Sequence, residues 1–163
     1  MKSIIAATIF ICLGAIQYAF GDIGDTVEQM TNHYGQPAQP PVPFDANNEH
    51  HSGAVWRVGK EAFVWAIFRD GKSCDEIYFK ADNSKFDSGM LKDMQARYNR
   101  NGWDDHWTQK QDGSMTIYGA ANDTSPKLGV LIITNKPFDI SPIGHFDHCI
   151  QVASFEFVRE VGK

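Results

Sequence analysis

The sequence predicts an α+β domain, an antiparallel sheet with two helices packed on one face. Three observations carry this. Apolar residues recur at helical spacing over Ile23–Tyr34 and Lys85–Asn101, whereas the period is two from Ala54 onward. The pairs Gly59-Lys60, Asp70-Gly71 and Asp112-Gly113 separate short apolar runs, as antiparallel hairpins require. The resulting order is helix, strands, helix, strands, which belongs to α+β rather than to alternating α/β.

The opening segment stands apart from that domain. Met1-Lys2-Ser3 carries one positive charge, Ile4 to Phe20 is almost wholly apolar, and Ala19-Phe20-Gly21 closes the run. A charged start, an apolar stretch and small residues before a cleavage point are the features of a secretory signal peptide. Residues 1–21 are therefore read as a signal peptide and residues 22–163 as a single exported domain. The run approaches the length of a membrane anchor, but the immediate switch to Asp22 and Asp25 favours cleavage. Cys12 lies inside the apolar run, where a lipid-attachment motif does not fit. No later stretch is long and apolar enough to span a membrane.

Within the domain, Ile23–Tyr34 reads as a short helix. Asp25 is placed to cap it, with Glu28 as capping-box partner, and Gly35 and Pro37 end it. Gln36–His51 carries Pro37, Pro40, Pro41 and Pro43, which favours an extended, stiff surface connection. Ala54–Val58, Ala62–Phe68 and Cys74–Lys80 read as three consecutive strands. Phe63–Phe68 is apolar on both faces, so it is expected to be central and covered on both sides. In the third strand, alternation sets Ile77 and Phe79 against Cys74, Glu76 and Tyr78.

The second helix, Lys85–Asn101, presents Phe86, Met90, Leu91, Met94 and Tyr98 on one face. Trp103–Gln109 and Ser114–Ala120 form a candidate hairpin, and Gly129–Thr134 a short buried strand. Pro137 to Cys149 reads as irregular, and Ala153–Val158 as a last strand.

Removing the leader takes Cys12 and leaves Cys74 and Cys149. An even pair in an exported chain is a disulfide candidate. The bridge would close a loop of about 75 residues, worth roughly 4 kcal/mol in the chain-entropy model; the alternative is two buried free thiols.

The chain has 15 Lys and Arg against 20 Asp and Glu, a formal charge of −5. That balance argues against a nucleic-acid partner, which is held by clustered cations. Two clusters carry the elements of chemistry. Asp104-Asp105-His106 lies between Trp103 and Trp107, and alternation on a strand would set Asp105 beside both indoles, where its pKa would rise. A small hydrolase using Asp105 with His106 or His148 would draw on that group. His145-Phe146-Asp147-His148-Cys149 offers metal-binding side chains, with His145 and His148 as candidate ligands and His50 or His51 as further ones. Neither cluster shows a second, spaced set of partners, and glycine-rich phosphate loops and hydrolase or zincin motifs are absent. No catalytic residue, cofactor or metal is expected.

Two stretches carry a family resemblance. Ile23-Gly24-Asp25-Thr26-Val27-Glu28-Gln29-Met30 through Tyr34-Gly35-Gln36-Pro37 resembles the opening of the bacterial SmpA/OmlA (BamE-like) domain, and Phe63–Phe68, Asp70-Gly71-Lys72 and Glu76–Phe79 resemble its central hairpin. A further stretch, from Met90-Leu91 through Asn101-Gly102, Trp107 and Tyr118-Gly119-Ala120 to Leu131–Thr134, resembles small exported bacterial proteins of unknown function. The resemblance implies helices on an antiparallel sheet and a role in binding other envelope proteins, with no catalytic residues to carry over. The chain lacks the lipid-attachment cysteine of the anchored members. The expected function is thus that of a secreted or periplasmic, non-enzymatic binder of another envelope or extracellular protein. Trp56, Trp103, Trp107 and Tyr118 are the candidate anchors, since interface hot spots favour those side chains.

Overall fold

The computed structural model describes residues 22–45, 48–100, 107–122, 125–140 and 143–161. Residues 1–21, read from the sequence as a signal peptide, and Trp103, Asp104, Asp105 and His106 lie outside them. The elements in chain order are α1 (Val27–Tyr34), β1 (Gln39–Asp45), β2 (Asn48–Val58), β3 (Ala62–Arg69), β4 (Lys72–Lys80), α2 (Ser88–Arg100), β5 (Thr108–Asp112), β6 (Met115–Asn122), β7 (Ser125–Ile140), β8 (Gly144–Ser154) and α3 (Phe155–Val161). The strands form one eight-stranded sheet in the order β1-β2-β3-β4-β8-β7-β6-β5, with every neighbouring pair antiparallel. The α+β class is therefore as expected, with a larger sheet and one more helix.

The hairpins are built as the turn residues demand. Asp70 and Gly71 both adopt positive φ, 51° and 78°, the backbone of a type I′ turn whose twist matches its flanking strands. Between β3 and β4 the register then slips, because Ile67 pairs Asp75 while Phe68 pairs Ser73. This bulge inserts Cys74 and reverses the facing of β4 before it. Cys74 consequently packs with Ile67, Ala153 and Phe157 rather than sharing a face with Glu76 and Tyr78, as simple alternation had it.

The two faces are covered differently. On one, α1 and α2 bring Met30, Met94 and Tyr98 onto Trp56, Val64, Tyr78, Ile132 and Val152. Each such large apolar side chain, fully buried, contributes about 1.5–3 kcal/mol. On the other, Val55, Ile77, Phe79, Ile140, Phe146 and Cys149 form a second cluster, and α3 covers only its end through Phe157. Phe63 and Trp65 of β3 are half-buried on this side, so β3 is central but not covered on both faces.

Several element boundaries correct the sequence reading. Thr26, not Asp25, caps α1: its hydroxyl accepts from Gln29 N, and the Gln29 side chain accepts from Thr26 N. The proline-rich segment is an edge strand, where Pro40, Pro41 and Pro43 stand in a position that tolerates missing N–H donors. Residues 137–140 and 144–149 are not irregular; they extend β7 and β8. The chain does not close on a strand either. Ser154 Oγ accepts from Phe157 N at 3.2 Å, capping the turn into α3.

Candidate binding groove and buried carboxylates

The half-open face carries a groove of about 350 Å³ where β1, β2, β3 and the far end of the β7–β8 hairpin meet. Trp65 lines it, flanked by Val42 and Pro43 of β1, Gly53 of β2, and Ile140 and Ile143 of the hairpin. Gly53 makes room for the indole. A Cβ there would sit 2.6 Å from Trp65 Nε1, well inside van der Waals contact. Among the described residues, the exposed large apolar side chains are Val42, at 44%, and Ile143, at 39%, and both stand on this groove.

The groove's rim is acidic and ordered. The His145 ring nitrogens meet Asp139 at 2.7 Å and Asp147 at 3.2 Å. These two hydrogen bonds, Asp139 first, raise the imidazole pKa. Asp147 is in turn held by Asn83, whose side chain donates to Asp147 Oδ2 and accepts from Asp147 N. Asn83 and His145 lower the Asp147 pKa. Asp139 belongs to the groove lining, so the apolar floor is bordered by negative charge.

Beneath the same face lies a polar network. Gln151 Nε2 donates to both oxygens of Asp75 at 2.8 Å, and Lys136 Nζ donates to Gln151 Oε1 at 2.6 Å. Burial pushes the Asp75 carboxyl up to about 7, against the opposing pull of Gln151 and the Lys136 charge. Lys136, half-buried with its ammonium 4.6 Å from the Phe138 ring centre, is lowered by desolvation against the attraction of Asp75.

The helix-side face holds a second carboxyl. Glu76 is fully buried, and Tyr78 Oη donates to its Oε2 at 2.7 Å, while Oε1 is buried without a partner among the described residues. Burial raises Glu76 to about 7; Tyr78 opposes this, and the charges of Asp25 and Asp22 add to it. Tyr34 Oη lies 3.2 Å from Tyr78 Oη. Sequence reasoning singled out neither carboxyl, because a charged residue in an alternating strand reads as solvent-facing until neighbours are known.

The expected site residues are dispersed. Trp56 is wholly inside the helix-side core and cannot anchor a partner. Trp107 is half-buried against the same core and donates through Nε1 to Asn99, and Tyr118 packs there as well. Asp105 and His106 lie outside the described residues, as does Trp103. His148 lines a separate depression with Phe86, Leu91 and Asn135, and it is not among the hydrogen-bond partners of His145, which are Asp139 and Asp147. Among the described residues no group of three His, Cys, Asp or Glu side chains is arranged to hold a metal ion. Trp65, which does line a groove, had one signal in the sequence: a glycine inside the neighbouring strand marks a close approach.

The expected disulfide is absent. Cys74 and Cys149 are both buried, and they are not bridged to each other. The register explains why. Asp75 pairs Ala153 and Tyr78 pairs Ile150, so Cys74 and Cys149 belong to opposite ends of the β4–β8 ladder. Five residue steps of roughly 3.3 Å separate them along it, beyond the roughly 7 Å that a disulfide can bridge. Instead, Cys74 Sγ donates to Ile67 O and Cys149 Sγ to Phe146 O. Burial, with the Asp147 charge, pushes the Cys149 thiol up to about 12, which makes it unreactive.

No protein-family model matches this chain, and no curated protein matches it in sequence. Among solved structures it is similar to a cysteine-rich secretory protein from Staphylococcus aureus, with a TM-score of 0.43 and 9% identity over 86% of this chain and 47% of that one. It is also similar to an extracellular protein containing an SCP domain from Bacillus anthracis, with a TM-score of 0.37 and 12% identity over 84% of this chain and 45% of that one. The chain thus spans less than half of each of these proteins, and the likeness is a distant one of fold. The resemblance to the SmpA/OmlA (BamE-like) family is not upheld: no family model matches the chain, and the similar solved structures are the two secretory and extracellular proteins just described. The segments that suggested it are a capped helix and a type I′ hairpin, local devices that unrelated α+β folds share.

Proposed function

We propose that this chain is an exported, non-enzymatic protein that binds another extracellular or envelope protein through the Trp65 groove. Export rests on the charged start, apolar run and small-residue end of Met1–Gly21. Among the described residues no helix is long and apolar enough to cross a membrane. The observation that carries the binding reading is the convergence of Val42, Ile143 and Trp65 on one concave spot. Exposed apolar side chains scattered singly need no explanation, but two gathered around a half-open indole do.

The chemistry of the groove selects its occupant. Its apolar floor accepts one branched or aromatic side chain, and Asp139 at the edge favours a Lys or Arg beside that anchor. The partner is therefore a protein segment with an apolar anchor flanked by positive charge. The chain's own net charge of −5 favours encounter with such a basic segment.

The test is capture from an envelope fraction by the chain starting at Asp22, compared with the double variant Val42→Asp plus Ile143→Asp. Both positions are exposed, so the variant is expected to fold. Capture of a defined partner that is lost in the double variant, but kept when the exposed Lys110 is changed to Glu, supports the groove. Equal capture by wild type and double variant overturns it.

A further inference from the structure

The chain's first described residues form a strap across the β3–β4 hairpin. Gly24 N donates to Ser73 O and Ser73 N to Asp25 O, each at 2.8 Å, and Ser73 Oγ donates to Asp22 O at 2.9 Å. From α2, Arg97 clasps the Asp22 carboxylate through Nε at 2.6 Å and Nη2 at 3.1 Å, and the Tyr98 hydroxyl accepts from Ile23 N at 3.3 Å. A terminal segment tied this closely to two elements is part of the fold.

The strap brings negative charge inward. The side chain of Asp25 is only 13% exposed, that of Asp22 is 27% exposed, and both act on the fully buried Glu76. Opposing them are Arg97, which is engaged by Asp22, and His33 Nε2, 3.4 Å from Asp25 Oδ2. Around them stand the hydroxyls of Ser73, Tyr34, Tyr78 and Tyr98, and those of Ser73 and Tyr78 oppose the rise of the Glu76 carboxyl. Glu76 Oε1 has no partner among the described residues. The cluster thus gathers three carboxyl groups, those of Asp22, Asp25 and Glu76.

One donor within it is the backbone nitrogen of Asp22, which hydrogen-bonds Asp25 Oδ2 at 2.9 Å. Signal-peptide removal after Gly21 would change the charge of that atom. From this contact we infer that processing completes the fold: the α-ammonium of Asp22, released by cleavage, forms an internal ion pair with Asp25. The inference rests on the reading of Met1–Gly21 as a cleaved leader. A signal peptidase hydrolyses the Gly21–Asp22 amide; water supplies the hydroxyl that becomes the Gly21 carboxylate, and the freed Asp22 amine takes up a proton. In the precursor the same nitrogen is a neutral amide donor. In the mature chain it is a cation within 3 Å of a largely buried carboxylate, and such charged hydrogen bonds are roughly twice as strong as neutral ones.

The sign of the pH dependence follows. Pairing with Asp25 raises the amine above the ordinary α-amino value of about 7.7–8. Its stabilisation is therefore complete below that value and is lost as pH rises through the higher folded one.

The experiment compares two forms of the chain, one starting at Asp22 and one with Gly21 retained, each with and without Asp25→Asn. At pH 6.5 the form starting at Asp22 is expected to melt about 3 °C or more above the Gly21 form, a shift that ordinary domain thermodynamics resolves. The gap should close above pH 10 and be absent in the Asp25→Asn pair. Equal midpoints at pH 6.5, or a gap that survives Asp25→Asn, overturn the ion pair. The intact mass of the chain exported from full-length precursor separately tests the cleavage reading. A mass that does not begin at Asp22 overturns maturation as the trigger, whatever the melting comparison shows.

Discussion

Asp75 and Glu76 are consecutive in β4, yet their carboxyls lie on opposite sides of the sheet, both buried and both raised to about 7. Asp75 reaches Gln151 beneath the half-open face, whereas Glu76 reaches Tyr78 under the helices. Each carboxyl binds its proton more tightly in the folded chain than in the unfolded one. Their stabilising contribution is therefore full below about pH 4 and is lost as pH rises towards and through 7.

The first prediction concerns Glu76. Glu76→Gln keeps the shape and an acceptor for Tyr78 while removing the cost of a buried anion. At pH 8 the variant should be more stable than wild type by roughly 1–3 kcal/mol, and at pH 5 the two should nearly coincide. Denaturant midpoints measured across that range check it; a variant less stable at pH 8 would refute the assignment.

A second concerns the other face. Gln151 is the amide that satisfies Asp75 and relays Lys136 to it. Gln151→Leu leaves a buried carboxylate without its donor, at a cost of about 2–4 kcal/mol at pH 8. Protonation relieves part of that cost, so the loss should shrink at pH 5. A pH-independent loss would mean that only packing had changed.

The elements that sequence patterns exposed were those set by local chemistry. Asp70-Gly71 specified a type I′ turn, and the stripe from Phe86 to Tyr98 specified a helix that packs on a sheet. What stayed hidden depended on contacts far apart in the chain. The bulge at Cys74 is defined by Ile67 and Phe68 across the hairpin, and without it the facing of β4 reads wrongly. Trp65 looked like core because its strand is apolar on both faces. Only the placement of β1 and of the β7–β8 hairpin leaves its edge open. The same reasoning explains the caps. Asp25 and Thr26 are both good N-cap residues, and Asp25 is instead committed to Asp22 N and His33.

The thiols supply a third prediction. In the chain starting at Asp22, neither Cys74 nor Cys149 should react with a thiol reagent in the native state, and both should react in denaturant. Reductant should leave the melting temperature unchanged, since no bridge contributes to it. A mass two units lower before reduction than after would show that a disulfide forms after all.

The last prediction joins packing to binding. The Trp65 indole lies where only a glycine at position 53 leaves space, since an added Cβ would approach Nε1 to 2.6 Å. Gly53→Ala must therefore displace either the indole or the β2 backbone. Backbone movement is resisted, because Gly53 is held in the ladder between Val42 and Ile67. The indole should yield instead, turning outward from a half-buried position. Its fluorescence should then shift to the red, with a destabilisation of about 1–3 kcal/mol, the usual cost of overpacking. Trp65→Ala removes the clash along with the groove's floor, so Gly53→Ala placed on top of it should cost far less. Partner capture should fall in Gly53→Ala as well as in Trp65→Ala, because both remove the same surface. Additive stability losses in the double variant would show that Gly53 and Trp65 are not coupled.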